Sequence, residues 1–153
     1  MKLTEEIYNR TESFISAMPK IQRKEYGQFF TAPLTADFMA SLANIDYDKA
    51  KLSILDAGAG SGILSASIVA HLREHDYNGD IELTCYETDP NVLHLLNENL
   101  SVIEKSYNVS FSIITDNYIL SQQFGKHESE NLYDLIIGNP PYKKIGRRSP
   151  CHS

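Results

Sequence analysis

Short apolar runs alternate with helix-like stretches along this chain, and this alternation constrains the fold more than any other feature. Four runs have the length of a strand and lie at residues 52–55, 81–86, 109–114 and 133–137. Apolar residues at helical spacing fill residues 63–75 and a second stretch opened by Asp89 and Pro90. Strands that alternate with helices indicate a parallel sheet. The sequence therefore predicts an α/β fold with helices on both faces of the sheet.

Two more helices are predicted before the first strand. Residues 4–18 carry apolar side chains at helical spacing, and Pro19 ends the pattern. Residues 20–32, which contain both a glycine and an aromatic pair, are expected to form a loop. A second helix is expected to begin near Pro33, because proline is favoured in a first turn. Its predicted apolar face consists of Leu34, Phe38, Met39 and Leu42.

The composition excludes several classes of protein. Hydrophobic residues make up 42% and charged residues 22% of the 153, which is usual for a soluble domain. A net charge of −6 argues against a protein that coats nucleic acid. The N-terminus does not resemble a signal peptide, and no apolar run is long enough for a membrane span. Cys85 and Cys151 lack metal-site spacing, so we expect no metal, a core position for Cys85 and a cytoplasmic location.

A glycine-rich segment follows the first predicted strand and reads Asp56-Ala57-Gly58-Ala-Gly60-Ser-Gly62. Glycines permit a tight turn and the close approach of a ligand to the backbone. The GxGxG spacing differs from the GxGxxG of dinucleotide-binding folds, which makes a nicotinamide-dependent oxidoreductase a distant possibility. Taken alone, the segment is also compatible with a tight turn that binds nothing.

Acidic residues follow the second and third predicted strands. Glu87 stands where a carboxylate can accept both hydroxyls of a ribose, although such positions are more often solvated or capping. Asp89, directly before Pro90, is interpreted as the N-cap of the next helix. Asp116 could accept a hydrogen bond from an adenine amino group or, with equal weight, cap a short helix at residues 117–122. Because strand ends meet at one edge of a parallel sheet, these residues are expected to lie together.

The most specific pattern is Asn139-Pro140-Pro141-Tyr142, which follows the fourth predicted strand. Two consecutive prolines stiffen a loop and leave its carbonyl groups without helix or sheet partners. The amide oxygen of Asn139 and the carbonyl of Pro140 then form a fixed pair of acceptors beside the ring of Tyr142. This arrangement suits a planar amino group on an aromatic base. A simple turn in which Tyr142 only packs is the alternative.

Together, the glycine-rich segment and residues 139–142 resemble the class I methyltransferases that methylate exocyclic amino nitrogens. The upstream segment Gly27-Gln-Phe-Phe-Thr31 resembles the one that precedes the glycine loop in a branch of the adenine-N6 DNA methyltransferases. This branch, found in restriction-modification systems, has its segments in the order seen here. It usually has two prolines after the threonine, whereas this chain has Ala32 and then Pro33.

The resemblance implies a Rossmann-like methyltransferase sheet and S-adenosyl-L-methionine as the cofactor. Thr31 would contact the methionine carboxylate, residues 56–62 would surround the methionine and ribose, Glu87 would hold the ribose hydroxyls, and Asp116 would hold the adenine amine. The implied cofactor-binding residues are Phe30, Thr31, Asp56, Ala57, Gly58, Gly60, Gly62, Glu87 and Asp116. The implied catalytic residues, which would hold an adenine flipped out of double-stranded DNA, are Asn139, Pro140, Pro141 and Tyr142.

The expected organisation is an N-terminal helical segment at residues 1–24, a catalytic core at 25–142 and an irregular basic tail at 143–153. Full-length members of the resembled branch continue into further strands and a target-recognition domain. The sequence is therefore expected to be an N-terminal catalytic portion. Its expected partners are a cognate restriction endonuclease or a separate chain that carries the recognition domain.

Two other functions stay open at this stage. A methyltransferase that acts on a protein glutamine or on an RNA guanine would also use a loop of the type found at residues 139–142. An inactive fragment, or one part of a split enzyme, would fit the early end of the sequence.

Overall fold

A computed structural model describes residues 2–116 and 133–138. Within these ranges the chain forms helices and the strands of a single sheet. The helices are α1 (Leu3–Ser16), α2 (Lys20–Phe29), α3 (Pro33–Ser41), α4 (Ile63–Glu74) and α5 (Pro90–Tyr107). The strands are β1 (Lys51–Ala57), β2 (Asp80–Tyr86), β3 (Ser110–Ile114) and β4 (Leu135–Gly138).

The four described strands are parallel and stand in the order β3-β2-β1-β4. This confirms the predicted α/β fold. The chain adds β2 and β3 on one side of β1 and then β4 on the other, so the strand order reverses beside β1. Ala57 pairs with both Tyr86 and Gly138 across the sheet, which places the carboxyl ends of these strands at one edge. In open parallel sheets, ligands bind at such a point of reversal.

The main hydrophobic cluster of the described residues lies on one face of the sheet. Ile54 and Leu83 are paired neighbours on this face and are fully buried against α4 and α5. Along β2 the burial alternates, and its other face is exposed or half-buried. The predicted helical layer is thus present on one face. Any helix that covers the second face would lie outside the described residues.

Helix α1 belongs to the same core as the sheet. Leu3 and Ile7 are buried in the cluster that also contains residues of α4 and α5. The predicted boundary near residue 24 stays a prediction, as does the tail at 143–153, which lies outside the described residues.

The expectation of a loop over residues 20–32 is wrong, because Lys20–Phe29 forms helix α2. Pro19, which ends the pattern of α1, is also the N-cap position of α2. The first half of α2 is rich in lysine, arginine, glutamine and glutamate, which are good helix formers. Gly27 lies inside the helix and lowers its propensity without ending it.

Helix α3 begins at Pro33 as predicted, but three of the four residues of its predicted apolar face point away from the core, whereas Met39 is partly buried against it. Leu34, Phe38 and Leu42 are exposed by 83%, 64% and 66% respectively. The buried side chains of α3 are Ala36 and Ala40 instead. Because these two side chains are small, α3 can pack closely against α4, and Leu34, Phe38 and Leu42 are left on the outer side.

The described residues also test the expectations about the cysteines and about membrane-spanning helices. Cys85 is a buried core residue, as predicted, and burial raises the pKa of its thiol well above the usual range. Cys151 lies outside the described residues. Over residues 2–116 and 133–138, no helix has both the length and the apolar character that crossing a membrane requires.

Candidate functional site

A crevice opens at the carboxyl edge of β1, between the glycine loop (residues 58–62) and the segment that joins α2 to α3. It is bounded by Phe30, Thr31, Asp56, Gly58, Ala59, Gly60, Ser61, Ile63 and Leu64. Residues from two distant parts of the sequence, each predicted to bind the same cofactor, therefore meet in one place. The position of the crevice at the reversal of strand order agrees with the expected location of a ligand site.

The glycine loop has the backbone conformation that its sequence predicts. Gly58, Gly60 and Gly62 have φ angles of 80°, 58° and 87°, which side chains other than glycine rarely adopt. A Cβ atom at Gly62 would also lie 3.2 Å from Leu96 Cδ1. The loop therefore turns tightly and packs directly on α5 as it enters α4.

Glu87 fixes the glycine loop from the end of β2. Its Oε1 accepts a hydrogen bond from the Gly60 N–H at 2.8 Å, and its Oε2 accepts one from the Asp89 N–H at 2.9 Å. The side chain is only 5% exposed. Each carboxylate oxygen can accept two hydrogen bonds, so Glu87 retains acceptor capacity, although the residue itself is not among those that bound the crevice. Sequence reasoning proposed a ligand role for Glu87 and missed this contact with the loop.

Asn99 holds the same loop from α5. Its Nδ2 donates to the Ser61 carbonyl at 2.8 Å, and its Oδ1 accepts from Arg10 Nε at 2.8 Å. Asn99 is fully buried, whereas Arg10 reaches it from α1. Sequence reasoning overlooked this residue. The available signal was an asparagine between the apolar residues of an otherwise hydrophobic helix face, since a buried amide needs hydrogen-bond partners.

Asp56 presents a buried carboxylate at the base of the crevice. It is 1% exposed, and its Oδ2 accepts a hydrogen bond from the Ser65 hydroxyl at 2.7 Å. Its Oδ1 has no hydrogen-bond partner among the described residues. Burial, together with the charge of Glu87, raises the pKa of Asp56 to about 6, although the Ser65 hydrogen bond opposes the shift. A buried oxygen without a partner beside a crevice is suited to a donor carried by a ligand.

Asp89 is the N-cap of α5, as the sequence predicts. Its Oδ1 accepts a hydrogen bond from the Asn91 N–H at 2.9 Å. Its Oδ2 accepts a second hydrogen bond, from the Tyr26 hydroxyl of α2, at 2.6 Å. No local pattern indicates this second contact, because the two residues are 63 positions apart.

The remaining predicted residues divide into two groups. Asp116 is exposed and lies two positions beyond the end of β3, on the carboxyl side of the sheet. Asn139, Pro140, Pro141 and Tyr142 lie outside the described residues, so their roles stay predictions. The residue before Asn139 is described: Gly138 pairs with Ala57, which is followed directly by Gly58. The chain thus leaves β4 beside the start of the glycine loop.

A second cavity of about 100 Å³ adjoins the crevice below α1. It shares Phe30, Thr31, Ser61 and Ile63 with the crevice, and the residues of α1 in its wall are Tyr8, Thr11, Glu12 and Ile15. The segment at Phe30 and Thr31 therefore separates two spaces and contributes to the wall of each.

Comparison with known proteins identifies the family. The N-6 DNA methylase family matches residues 4–148, nearly the whole sequence. This chain belongs to that family. The match confirms the resemblance drawn from the glycine loop, the upstream Gly27–Thr31 segment and residues 139–142.

Individual relatives agree with this assignment. The type II methyltransferase M.BsuBI of Bacillus subtilis is 33% identical over 147 residues, covering 90% of this chain and 29% of that protein. The type II methyltransferase M.PstI of Providencia stuartii is 29% identical over 147 residues, covering 90% of this chain and 28% of that protein. A release factor glutamine methyltransferase of Fusobacterium nucleatum is 33% identical over 90 residues, covering 59% of this chain and 22% of that protein. The chain thus spans less than a third of the length of these relatives.

Proposed function

We propose that this chain is the cofactor-binding and catalytic part of a DNA methyltransferase that transfers a methyl group from S-adenosyl-L-methionine to N6 of adenine. The observation that carries the proposal is the crevice at the reversal of strand order, where Phe30 and Thr31 meet Asp56 and the glycine loop. Membership of the N-6 DNA methylase family supports the choice of substrate atom.

The residues of the crevice fit this cofactor. S-adenosyl-L-methionine carries an α-ammonium group, and the buried Oδ1 of Asp56 is an acceptor without a partner among the described residues. A cation there would compensate a buried negative charge, which is otherwise costly. Glu87 retains acceptor capacity for the ribose hydroxyls, Thr31 lies on the opposite wall for the methionine carboxylate, and Asp116 stands beyond β3 for the adenine amine.

The residues that follow β4 are proposed to hold the target base. Adenine N6 is a poor nucleophile because its lone pair is delocalised into the ring. The Asn139 side-chain oxygen and the Pro140 carbonyl would each accept a hydrogen bond from one of the two N6–H groups. These hydrogen bonds would localise the lone pair on N6 and stabilise the charge that develops there. Pro141 would stiffen the loop. Tyr142 would stack on the base, which is worth about 1–3 kcal/mol, and so would offset part of the few kcal/mol needed to flip it.

The rest of the chemistry is positioning. The cofactor supplies an activated methyl group, and the crevice residues would orient it toward the adenine held at residues 139–142. No covalent bond to the enzyme is required, which agrees with the buried position of Cys85.

The partners belong to the same proposal. The substrate is double-stranded DNA with the target adenine flipped out, and a cytoplasmic location follows from this substrate. Relatives named type II methyltransferases support a cognate restriction endonuclease as a functional partner. Because the chain spans 29% of the length of M.BsuBI, sequence recognition is assigned to a part of the enzyme beyond this sequence, on the same or a separate chain.

The decisive test combines cofactor binding with methyl transfer. Calorimetry should show that the chain binds S-adenosyl-L-methionine and that Asn139→Ala binds it with the same affinity, because Asn139 is assigned to the base and not to the cofactor. In the enzyme that includes the recognition part, the same substitution should abolish methylation of duplex DNA. An exposed change of the same type, Asn97→Ala, is the control for both assays. Failure of the wild-type chain to bind the cofactor would contradict the proposal.

One alternative substrate is supported by a specific observation, the similarity to a release factor glutamine methyltransferase over 90 residues. That match covers 59% of this chain, whereas the two type II methyltransferases each match 90% of it. A parallel transfer assay with release-factor protein in place of DNA separates the two substrates. Methylation of the protein alone would replace the present proposal.

A further inference from the structure

A hydrogen bond joins α2 to the first turn of α5 beside the crevice. The Tyr26 hydroxyl donates to Asp89 Oδ2 at 2.6 Å, and Asn91 Nδ2 lies 3.4 Å from the same hydroxyl. The other carboxylate oxygen of Asp89 caps α5. Asp89 is therefore held on one side by its own helix and on the other by Tyr26.

This contact continues as a series of hydrogen bonds to the glycine loop. The backbone N–H of Asp89 donates to one oxygen of Glu87, whose other oxygen accepts from the Gly60 N–H. We call Tyr26, Asp89, Glu87 and Gly60 the Tyr26 series. It runs from α2 to the loop, where Gly60 bounds the crevice, and every member has a defined donor or acceptor role.

Tyr26 also contacts the opposite wall of the crevice. Its ring lies 6.1 Å from the ring of Phe30, and its carbonyl accepts the Phe30 N–H at 3.2 Å. Phe30 in turn lies edge-on to Phe14 of α1, with ring centroids 6.5 Å apart. One side chain thus connects both walls: it packs on Phe30 through its ring and reaches Asp89 through its hydroxyl.

We propose that Tyr26 is a positioning residue for the cofactor, which holds the Glu87 carboxylate in the orientation that receives the ribose hydroxyls. The inference rests on the proposed function, and it adds a residue that contacts no reacting atom. Tyr26 acts through Asp89, whose backbone N–H sets the direction of the Glu87 side chain. The Asp89 carboxylate raises the pKa of Tyr26, so the phenol remains the donor at neutral pH.

The first variant is Tyr26→Phe, which keeps the ring against Phe30 and removes only the hydroxyl. This loss leaves the Glu87 carboxylate less firmly oriented, so we expect the dissociation constant for S-adenosylhomocysteine to rise about tenfold. Tyr47→Phe is the matched control. Tyr47 is exposed, and its ring packs against Tyr77 near the amino end of the sheet. The Tyr47→Phe variant should therefore bind S-adenosylhomocysteine as tightly as the wild type does.

The second measurement separates positioning from general loosening of the fold. Binding of S-adenosylhomocysteine is compared with binding of its 2′,3′-dideoxy analogue, which lacks the hydroxyls that Glu87 would hold. In the wild type the natural ligand should bind more tightly. In Tyr26→Phe this preference should shrink about tenfold, since only the hydroxyl-dependent part of the affinity is lost. Asp89→Asn, which keeps an oxygen for the cap but not the full acceptor for Tyr26, should reproduce the effect.

A third measurement does not depend on any ligand. Hydrogen exchange on the unliganded protein should show faster exchange of the Asp89 and Gly60 amides in Tyr26→Phe than in Tyr47→Phe. Unchanged exchange would overturn the series itself. Equal weakening of both ligands would overturn the positioning role while leaving the cofactor site intact. Absence of binding to the wild-type protein would instead overturn the proposed function, and the positioning role with it.

Discussion

Asp56 carries a carboxyl group at a position that solvent barely reaches. One oxygen is held by the Ser65 hydroxyl, and the other has no partner among the described residues. Glu87 and the Cys85 thiol are its nearest titratable neighbours, and the charge of Glu87 adds to the effect of burial. The folded chain therefore holds this group in a state that disfavours ionisation.

The pKa of Asp56 predicts how stability changes with pH. The value rises from 3.8 to about 6 on folding, so the unfolded chain releases this proton more readily than the folded chain does. Asp56 imposes no penalty below about pH 4; the penalty grows between pH 4 and 6 and is complete above 6. At 1.36 kcal/mol for each pKa unit, the penalty at neutral pH is about 3 kcal/mol.

Urea unfolding between pH 4 and 8 measures this contribution. Asp56→Asn should remove the loss of stability between pH 4 and 6 that the wild type shows. Asp80→Asn, an exposed change of the same type at the start of β2, should leave the wild-type profile in place. Profiles for wild type and Asp56→Asn that run parallel over this range would mean that Asp56 does not titrate as described.

The sequence predicted where Asp56 lies, at the end of β1 before the glycine loop, but not which groups surround its carboxylate. A polar residue after an apolar strand and before three glycines is visible in the printed sequence, and so is the capping role of Asp89. The hydrogen bond between Glu87 and Gly60 joins residues that are 27 positions apart. The burial of the unpaired Asp56 oxygen likewise depends on how distant segments pack together. Such contacts leave no local pattern, which is why the role of Tyr26 could not be predicted, whereas Asn99 offered only the indirect signal of a polar residue on an apolar helix face.

At the scale of elements, the glycine loop is held by its neighbours from two directions. Glu87 at the end of β2 accepts the Gly60 N–H, and Asn99 on α5 donates to the Ser61 carbonyl. Arg10 extends the second attachment to α1. Three elements besides β1 and α4 therefore fix a loop of five residues, and we expect it to keep this shape without a ligand.

Substitution of Asn99 should loosen this loop. Asn99→Leu keeps the branched shape of the side chain but leaves the Ser61 carbonyl without its buried donor, which costs about 1–3 kcal/mol in the free energy of unfolding. Binding of S-adenosyl-L-methionine should weaken as well, because the loop is proposed to surround its methionine and ribose. The control is Asn97→Leu, an exposed position on the same helix. Chemical denaturation and calorimetry on both variants measure the two effects, and equal behaviour of the two would contradict the role given to Asn99.

The sequence predicted best those elements whose apolar residues recur at the spacing of a helix or strand and are also the residues buried in the core. Strands β1 and β2 and helices α4 and α5 lie within a few residues of their expected bounds, because their apolar residues all face one core. For helix α3, the prediction of which residues face the core was wrong at three of four positions. Its leucines and phenylalanine are outside because the contact with α4 is made by Ala36 and Ala40, and hydrophobicity alone does not indicate that close approach favours small residues.

At the scale of the whole molecule, the net charge favours a separation of catalysis from DNA recognition. The net charge of −6 belongs to a chain in which α1, α3, α4 and α5 contribute to one core cluster. A protein that binds DNA through phosphates alone needs a basic surface. Recognition of the duplex is therefore proposed to belong to a part of the enzyme beyond this sequence, in agreement with its span of less than a third of the type II relatives.

This division predicts weak binding of duplex DNA by the chain alone. Fluorescence anisotropy at physiological salt should give a dissociation constant no tighter than about 10⁻⁴ M, the weak end of non-specific binding. Addition of S-adenosyl-L-methionine should not change this value, because the cofactor site is separate from the phosphate contacts. Micromolar, sequence-dependent binding would show that recognition lies within these 153 residues.

The atoms by which Glu87 and Asn99 grip the glycine loop are a main-chain N–H and a main-chain carbonyl. These two hydrogen bonds do not depend on the side chain at position 61, whereas an exchange at 87 or 99 would remove one of them even if every glycine were kept. A survey of natural variation that scored only the glycine signature would accept chains whose loop has lost its anchors. Scoring residues 87 and 99 alongside the glycines would separate intact loops from decayed ones.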